Sequence, residues 1–132
     1  MLRREGFLPA RAVAALLRDP GSADIAQLRE GIPARWSPQG EIHLGRLELG
    51  PGEGLCPVLP PQAKAGLILD LDPPGWRSEW GGLLLFQGGE GRLSGYRPTP
   101  GALTVFAAET APLISLVMLR APPRISLLGW WP

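Results

Sequence analysis

Apolar and polar residues follow two different periods along this chain, and the change falls near Gly40. In "FLPARAVAALLRDPG", Val13, Leu16 and Leu17 recur at helical spacing while Arg11 and Arg18 can face water. Pro9 suits the first turn, where its missing N–H costs nothing. Asp19-Pro20-Gly21 ends the helix. A second, shorter helix is predicted from Ser22 to Glu30, with Ser22 as cap, Asp24 in the first turn, and Ile25 and Leu28 toward the core. Gly31-Ile32-Pro33 stops it. Beyond Gly40 the apolar segments become short: "EIHL", "RLEL", "AGLILDL", "GLLLF", "GRLSGY", "ALTVF", "LISLVML" and "RISLLGWW". Glycine and proline turns divide them, which predicts an all-β barrel or sandwich. The remaining gaps are too short for βα crossovers. The predicted organisation is a single domain over 1–132, with helical support in 1–40 and a β core in 41–132, the helices lying as a lid on one face.

Composition agrees with a packed core. The chain has 132 residues, 45% of them hydrophobic, and a mean hydropathy of +0.06, which argues against disorder. Eighteen glycines and sixteen prolines punctuate the apolar runs without repeating, as turn-joined strands require. Twelve of the thirteen basic residues are arginines, but they are scattered and the net charge is only +1, so no nucleic-acid surface is expected. The one basic pair, Arg3-Arg4, reads as solvated. No apolar run suits a membrane span or a signal peptide, and the single Cys56 fits a reducing compartment, so a cytoplasmic location is the expectation.

Local chemistry is sparse. The only histidine, His43, lies between Ile42 and Leu44 in a predicted strand and reads as a solvent-side or hydrogen-bonded structural residue. Cys56, flanked by Leu55, Pro57 and Val58, has no neighbour to stabilise a thiolate and reads as a small buried hydrophobe. Asp70 and Asp72 fall on one side if their strand persists; a divalent ion is one reading of such a pair, and a turn cap before Pro73-Pro74-Gly75 is the simpler reading of Asp72. "FQGGEGRLSG" lacks a lysine and a following helix, so it reads as a glycine turn between two strands rather than a phosphate cradle.

The second half carries a family pattern. "AGLILDLDPPGWRSEWGGLLLF" resembles the middle of the double-stranded β-helix of the Fe(II)/2-oxoglutarate-dependent oxygenases, in their prolyl 4-hydroxylase-like branch, through Trp76, Trp80, Gly81, Gly82, Leu83 and Leu85. "PTPGALTVFAAETAPLISLV" is similar to the segment leading to the distal iron ligand, and "RISLLGWW" to the closing strand. The resemblance covers roughly residues 48–131. It implies a mainly β fold, a double-stranded β-helix (jelly-roll, cupin-like) with one or two N-terminal supporting helices.

It also implies where a site should be. Such enzymes hold iron with two histidines and one carboxylate. The family's "Y-x-P-G-x-F-L-x-x-H-x-D" falls on "LGPGEGLCPVLP", which places Leu49 at the tyrosine, Val58 at the first histidine and Pro60 at the aspartate; the distal histidine falls at Leu113. No side chain in that set can ligate iron. Arg124 fits the position whose base pairs with the distal carboxylate of 2-oxoglutarate, and Ser126 shares its strand face, so these two are the candidate vestigial co-substrate anchor. The expected function is a non-catalytic, oxygenase-like binding or scaffolding protein with no cofactor. One alternative is a divergent dioxygenase using Fe(II) and 2-oxoglutarate, which would have to recruit His43, Asp70 or Asp72. Another is a small carboxylate-binding barrel centred on Arg124. A protein partner or self-association is expected, with Trp36, Trp130 or Trp131 as anchors, since exposed tryptophan favours interfaces.

Overall fold

The computed structural model describes residues 1–56 and 59–132. The N-terminal residues do not wait for the helices: Leu2–Arg4 form a strand, β1, paired antiparallel with residues 103–105. Arg3-Arg4 is therefore not a solvated tail, and the β core begins before the helical segment as well as after it.

Helix α1 spans Ala10–Arg18, with the Pro9 carbonyl accepting from Ala12 N and Val13 N, and it buries Val13 and Leu16. Asp19 ends it and caps a short 3-10 turn, Pro20–Ser22, accepting from Gly21 N at 3.0 Å. Helix α2 is shorter than the sequence suggested, Ile25–Glu30, and its cap is Asp24, whose carboxylate accepts from Gln27 N at 3.1 Å. Ser22 instead donates to Asp19 O inside the preceding turn. The later start rotates Ile25 outward, 37% exposed, while Leu28 stays in the core. No helix among the described residues is long and apolar enough to cross a membrane.

The strands that follow are β2 (His43–Leu49), β3 (Ala65–Asp70), β4 (Leu84–Gln87), β5 (Leu93–Tyr96), β6 (Leu103–Ala107), β7 (Leu113–Ile114) and β8 (Arg124–Trp131). "EIHL" and "RLEL" thus merge into one strand, and "LISLVML" contributes only two strand residues plus an isolated bridge between Gly81 and Val117. Two antiparallel sheets result, a large one in the order β1-β6-β3-β8-β2 and a small one in the order β5-β4-β7. This is the expected jelly-roll of facing sheets with N-terminal helices.

Alternation along the central strands feeds two cores. On the outer face of the large sheet Leu67, Leu69, Leu103, Val105, Leu127 and Trp131 pack under Val13, Leu16 and Leu28 of the helices. Between the sheets Leu49, Ile68 and Phe106 meet Leu84, Phe86, Ile114 and Val117. β3 is covered on both sides and buried at all six positions, which is why its first five residues, Ala65 to Leu69, form a continuous apolar run before Asp70. The two C-terminal tryptophans divide as adjacent strand residues must. Trp131 is fully buried and donates from Nε1 to Trp36 O at 2.6 Å, whereas Trp130 is half-buried and stacks on exposed His43 with ring centroids 4.4 Å apart. Cys56, expected inside, is exposed.

Candidate functional site

The polar interior of the barrel lies at one end of the inter-sheet space, where β8 begins and β3 ends. In the ladder Asp70 stands opposite Ser126, so alternation places Arg124, Ser126 and Asp70 on the inner face. Arg124 is 1% exposed, and every polar neighbour it has is buried with it: Asp70 1%, Asp72 1% and Ser126 0%. Its Nε donates to Gly82 O at 2.6 Å and its NH1 to Ser126 Oγ at 2.5 Å. NH2 lies 3.4 Å from Asp70 Oδ1, and NH1 lies 3.6 Å from Asp72 Oδ2. Asp70 is shared: its Oδ2 accepts from Thr99 N at 3.1 Å and from Arg3 NH2 at 3.3 Å. Arg3 in turn donates from NH1 to buried Thr104 at 2.9 Å. Four charges of alternating sign, Arg3, Asp70, Arg124 and Asp72, therefore run through the interior as one connected set.

Asp72 is the least satisfied member. Its Oδ1 accepts from Ile125 N at 2.7 Å, but among the described residues Oδ2 has no hydrogen-bond partner. Burial pushes its carboxyl up to about 7, against the opposing pull of the Arg124 guanidinium. Asp72 is thus tied to the backbone of β8 and is not a cap of the Pro73-Pro74-Gly75 turn. The two carboxylates do share one side, as the sequence implied, and they face guanidinium groups there.

The apolar side of the inner space adjoins this set, since Leu49 stands opposite Arg124 in the ladder. Residues 52–55 run antiparallel to 114–117, with Leu55 N donating to Ile114 O, Ile114 N to Leu55 O, and Val117 N to Glu53 O. Leu49 enters the core ahead of them, 5% exposed. Leu113, by contrast, stands opposite Leu85 and is 40% exposed on the outside of the small sheet, whereas Ile114, opposite Leu84, is 1% exposed and points inward. Leu113, aligned in the sequence with the distal ligand, thus faces away from the inter-sheet core, and its neighbour Ile114 faces into it. Pro60 is half-buried, its carbonyl accepting from Ala63 N, and Val58 lies outside the described residues.

Two solved structures share the architecture. A crystal structure of a Pseudomonas putida prolyl-4-hydroxylase superposes with a TM-score of 0.77 at 24% identity, over 98% of this chain and 86% of that one. The viral collagen prolyl hydroxylase vCPH from Paramecium Bursaria Chlorella virus-1, in a 2OG complex, gives 0.66 at 16% identity, over 98% and 93%. The chain has the prolyl 4-hydroxylase fold. No protein-family model and no curated protein matches the sequence.

Within a prolyl-hydroxylase fold the donor set can be tested directly. The positions aligned with the triad carry valine, proline and leucine, and the inward-facing alternative to Leu113 is isoleucine. None of these side chains has a lone pair to offer a metal. Among the described residues no three His, Cys, Asp or Glu side chains gather where they could hold an ion. His43 sits at the sheet edge on Trp130, and Asp70 and Asp72 are turned to arginines. A two-histidine, one-carboxylate iron site does not fit these residues. The arginine expected at the start of the closing strand of this fold is present, buried and in contact with Ser126, but its donors are engaged by the chain itself.

Three participants escaped the sequence reading. Arg3 and Thr104 complete the ionic set, and Gly82 supplies the carbonyl that receives Arg124 Nε. The last had a signal: Gly81 and Gly82 both have φ near +65°, at 68° and 62°, so the "WGG" motif is a backbone turn that aims a carbonyl inward. Trp76 fixes the same turn by donating from Nε1 to Gly81 O at 2.9 Å.

Proposed function

We propose that this protein is a non-catalytic barrel of the prolyl-hydroxylase fold, serving as a binding or scaffolding protein. One observation carries the reading: buried Arg124 is held by the chain's own Asp70 and Asp72. In the sequence, the positions aligned with the iron ligands carry valine, proline and leucine, which supports the loss of the metal site. At the anion end, Asp70 and Asp72 supply from within the carboxylates that a co-substrate would otherwise bring to Arg124. Replacing a wet, charged centre by hydrocarbon avoids a desolvation cost, and holding Arg124 on internal carboxylates turns an anchor into a structural tie. A dicarboxylate would have to expel Asp72 from NH1 to bind here, which favours the scaffold over a carboxylate-binding barrel.

Binding would then use the outside. Trp131 is fully buried and offers no surface; Trp36 is half-buried beneath the Arg35 guanidinium, 4.4 Å from its ring; Trp130 remains accessible beside His43. The test is anaerobic titration calorimetry of the intact protein with Fe(II) or Mn(II) in the presence of 2-oxoglutarate. No stoichiometric metal binding and no succinate release with prolyl peptides is the expected result. One equivalent of metal bound at micromolar affinity would overturn the reading and restore the divergent dioxygenase.

A further inference from the structure

Among the described residues, the large sheet ends in an open strand. β2 pairs with β8 along its whole length, His43 opposite Trp130 to Leu49 opposite Arg124, and stands at the edge of the sheet order. Its other side presents a row of backbone N–H and C=O groups, the usual template for adding a strand. Proteins commonly protect such an edge with charge, and β2 carries Arg46 and Glu48, side by side on the helix-facing side with their charged atoms 3.6 Å apart. Arg46 also donates to Leu17 O at 3.3 Å. The order of these charges decides whether they block a second strand or select one.

Two copies of β2 pairing antiparallel about a two-fold axis keep like faces together only if the axis passes through a residue. An axis through Arg46 would overlap the whole strand, but it would set Arg46 directly against the partner's Arg46. An axis through Leu47 places Arg46 opposite the partner's Glu48, and by symmetry Glu48 opposite the partner's Arg46. Directly opposed unlike charges stabilise a strand pair and like charges destabilise it, so one register is selected and the full-overlap register is rejected. On the inner face the same axis brings Leu47 onto the partner's Leu47, continuing the apolar strip made by Leu128 and Trp130. On the helix face a cleft of about 530 Å³, bordered by Pro20, Ile25, Arg29 and Leu44, leaves space beside the edge for the partner's side chains.

We infer that a second copy of this chain is the occupant of the β2 edge, giving a two-fold dimer whose large sheets join through Leu47-centred pairing into one continuous sheet. The dimer names a partner for the scaffolding reading and rests on it for its purpose only; the metal titration and the mass measurement succeed or fail separately.

Sedimentation equilibrium on the full chain, with circular dichroism as a check of folding, tests the proposal. The wild-type protein is expected to be a dimer. Glu48→Arg presents a wholly basic edge and Arg46→Glu a wholly acidic one, and each alone should weaken self-association by about tenfold or more. Mixed in equal amounts, the two variants should form a heterodimer, because every opposed pair is again unlike; a loss of folding could not give that rescue. A wild-type protein that stays monomeric at the highest soluble concentration overturns the proposal and leaves the edge to some other partner. A dimer that is indifferent to both variants overturns it in favour of another face. Variants that dissociate but do not pair when mixed overturn the Leu47 register.

Discussion

Replacing Arg124 by methionine keeps most of the side-chain volume and removes the charge on which the polar interior converges. The structure shows where the cost falls. Asp70 would keep Arg3 and Thr99 N, and Ser126 is a hydroxyl that tolerates losing one partner. Among the described residues Asp72 would keep only Ile125 N, and Gly82 O would lose its only side-chain donor, 2.6 Å away. Breaking a buried ion pair from one side costs about 3–5 kcal/mol. With a urea dependence of about 2 kcal/mol per molar for a domain of this size, the unfolding midpoint should fall by about 2 M at pH 8. The penalty should shrink at pH 6. Asp72 already has its carboxyl raised to about 7, and without Arg124 it rises further, so the folded variant binds a proton that the unfolded chain, near the ordinary carboxylate value of 3.8, does not. A proton bound preferentially by the folded state stabilises it as pH falls. Adding Asp72→Asn to Arg124→Met should recover part of the loss, giving a coupling of about 1–3 kcal/mol in the double-mutant cycle. A single-variant loss below about 1 kcal/mol at pH 8, or a cycle with no coupling, would refute the view of Arg124 as the tie that holds the interior.

The wild-type protein should itself lose stability as pH rises from about 4 to about 7, since the raised Asp72 carboxyl is protonated more readily folded than unfolded across that window. Measured against Asp72→Asn, which cannot titrate, the difference should reach at most about 4 kcal/mol and level off above pH 7; an unchanged difference between pH 4.5 and 7.5 would disprove it. Gly81→Ala should destabilise by more than about 1 kcal/mol in urea melts, because the φ of 68° is strained for alanine and the added Cβ would collide with Leu116 O. Cys56 should react with a thiol reagent in the folded protein at a rate near that of the unfolded chain, and protection by folding would contradict its exposure.

Much of this architecture could be read from the sequence because its signals are local. The apolar run of β3 reports burial directly, and the adjacency of Trp130 and Trp131 requires them to part, although only the structure shows Trp131 buried and Trp130 beside His43. The "WGG" motif reports a turn through its glycines. The ionic set could not be read the same way. Arg124 and Asp70 are 54 residues apart, Arg3 and Thr104 are 101 apart, and a three-residue strand such as β1 is too short to show a period. The facing of β7 was hidden for a different reason: it has two residues, and nothing in Leu113-Ile114 says which of two similar hydrophobes faces in. Ser22 lost its predicted capping role to Asp24 because both are good caps two residues apart, and the turn at Pro20 consumed the first.

The strand order has a consequence in time. β8 is the latest strand in the sequence, yet it lies between β3 and β2 in the large sheet, and among the described residues β2 has no other partner there. β2 emerges from synthesis about eighty residues before the strand it needs, and until then it stays an unsatisfied ribbon. The large sheet can close only in one late step, after long loops have been drawn together, which places folding among the slow topologies of about milliseconds to seconds. During that interval β2 is open to other chains along both of its sides.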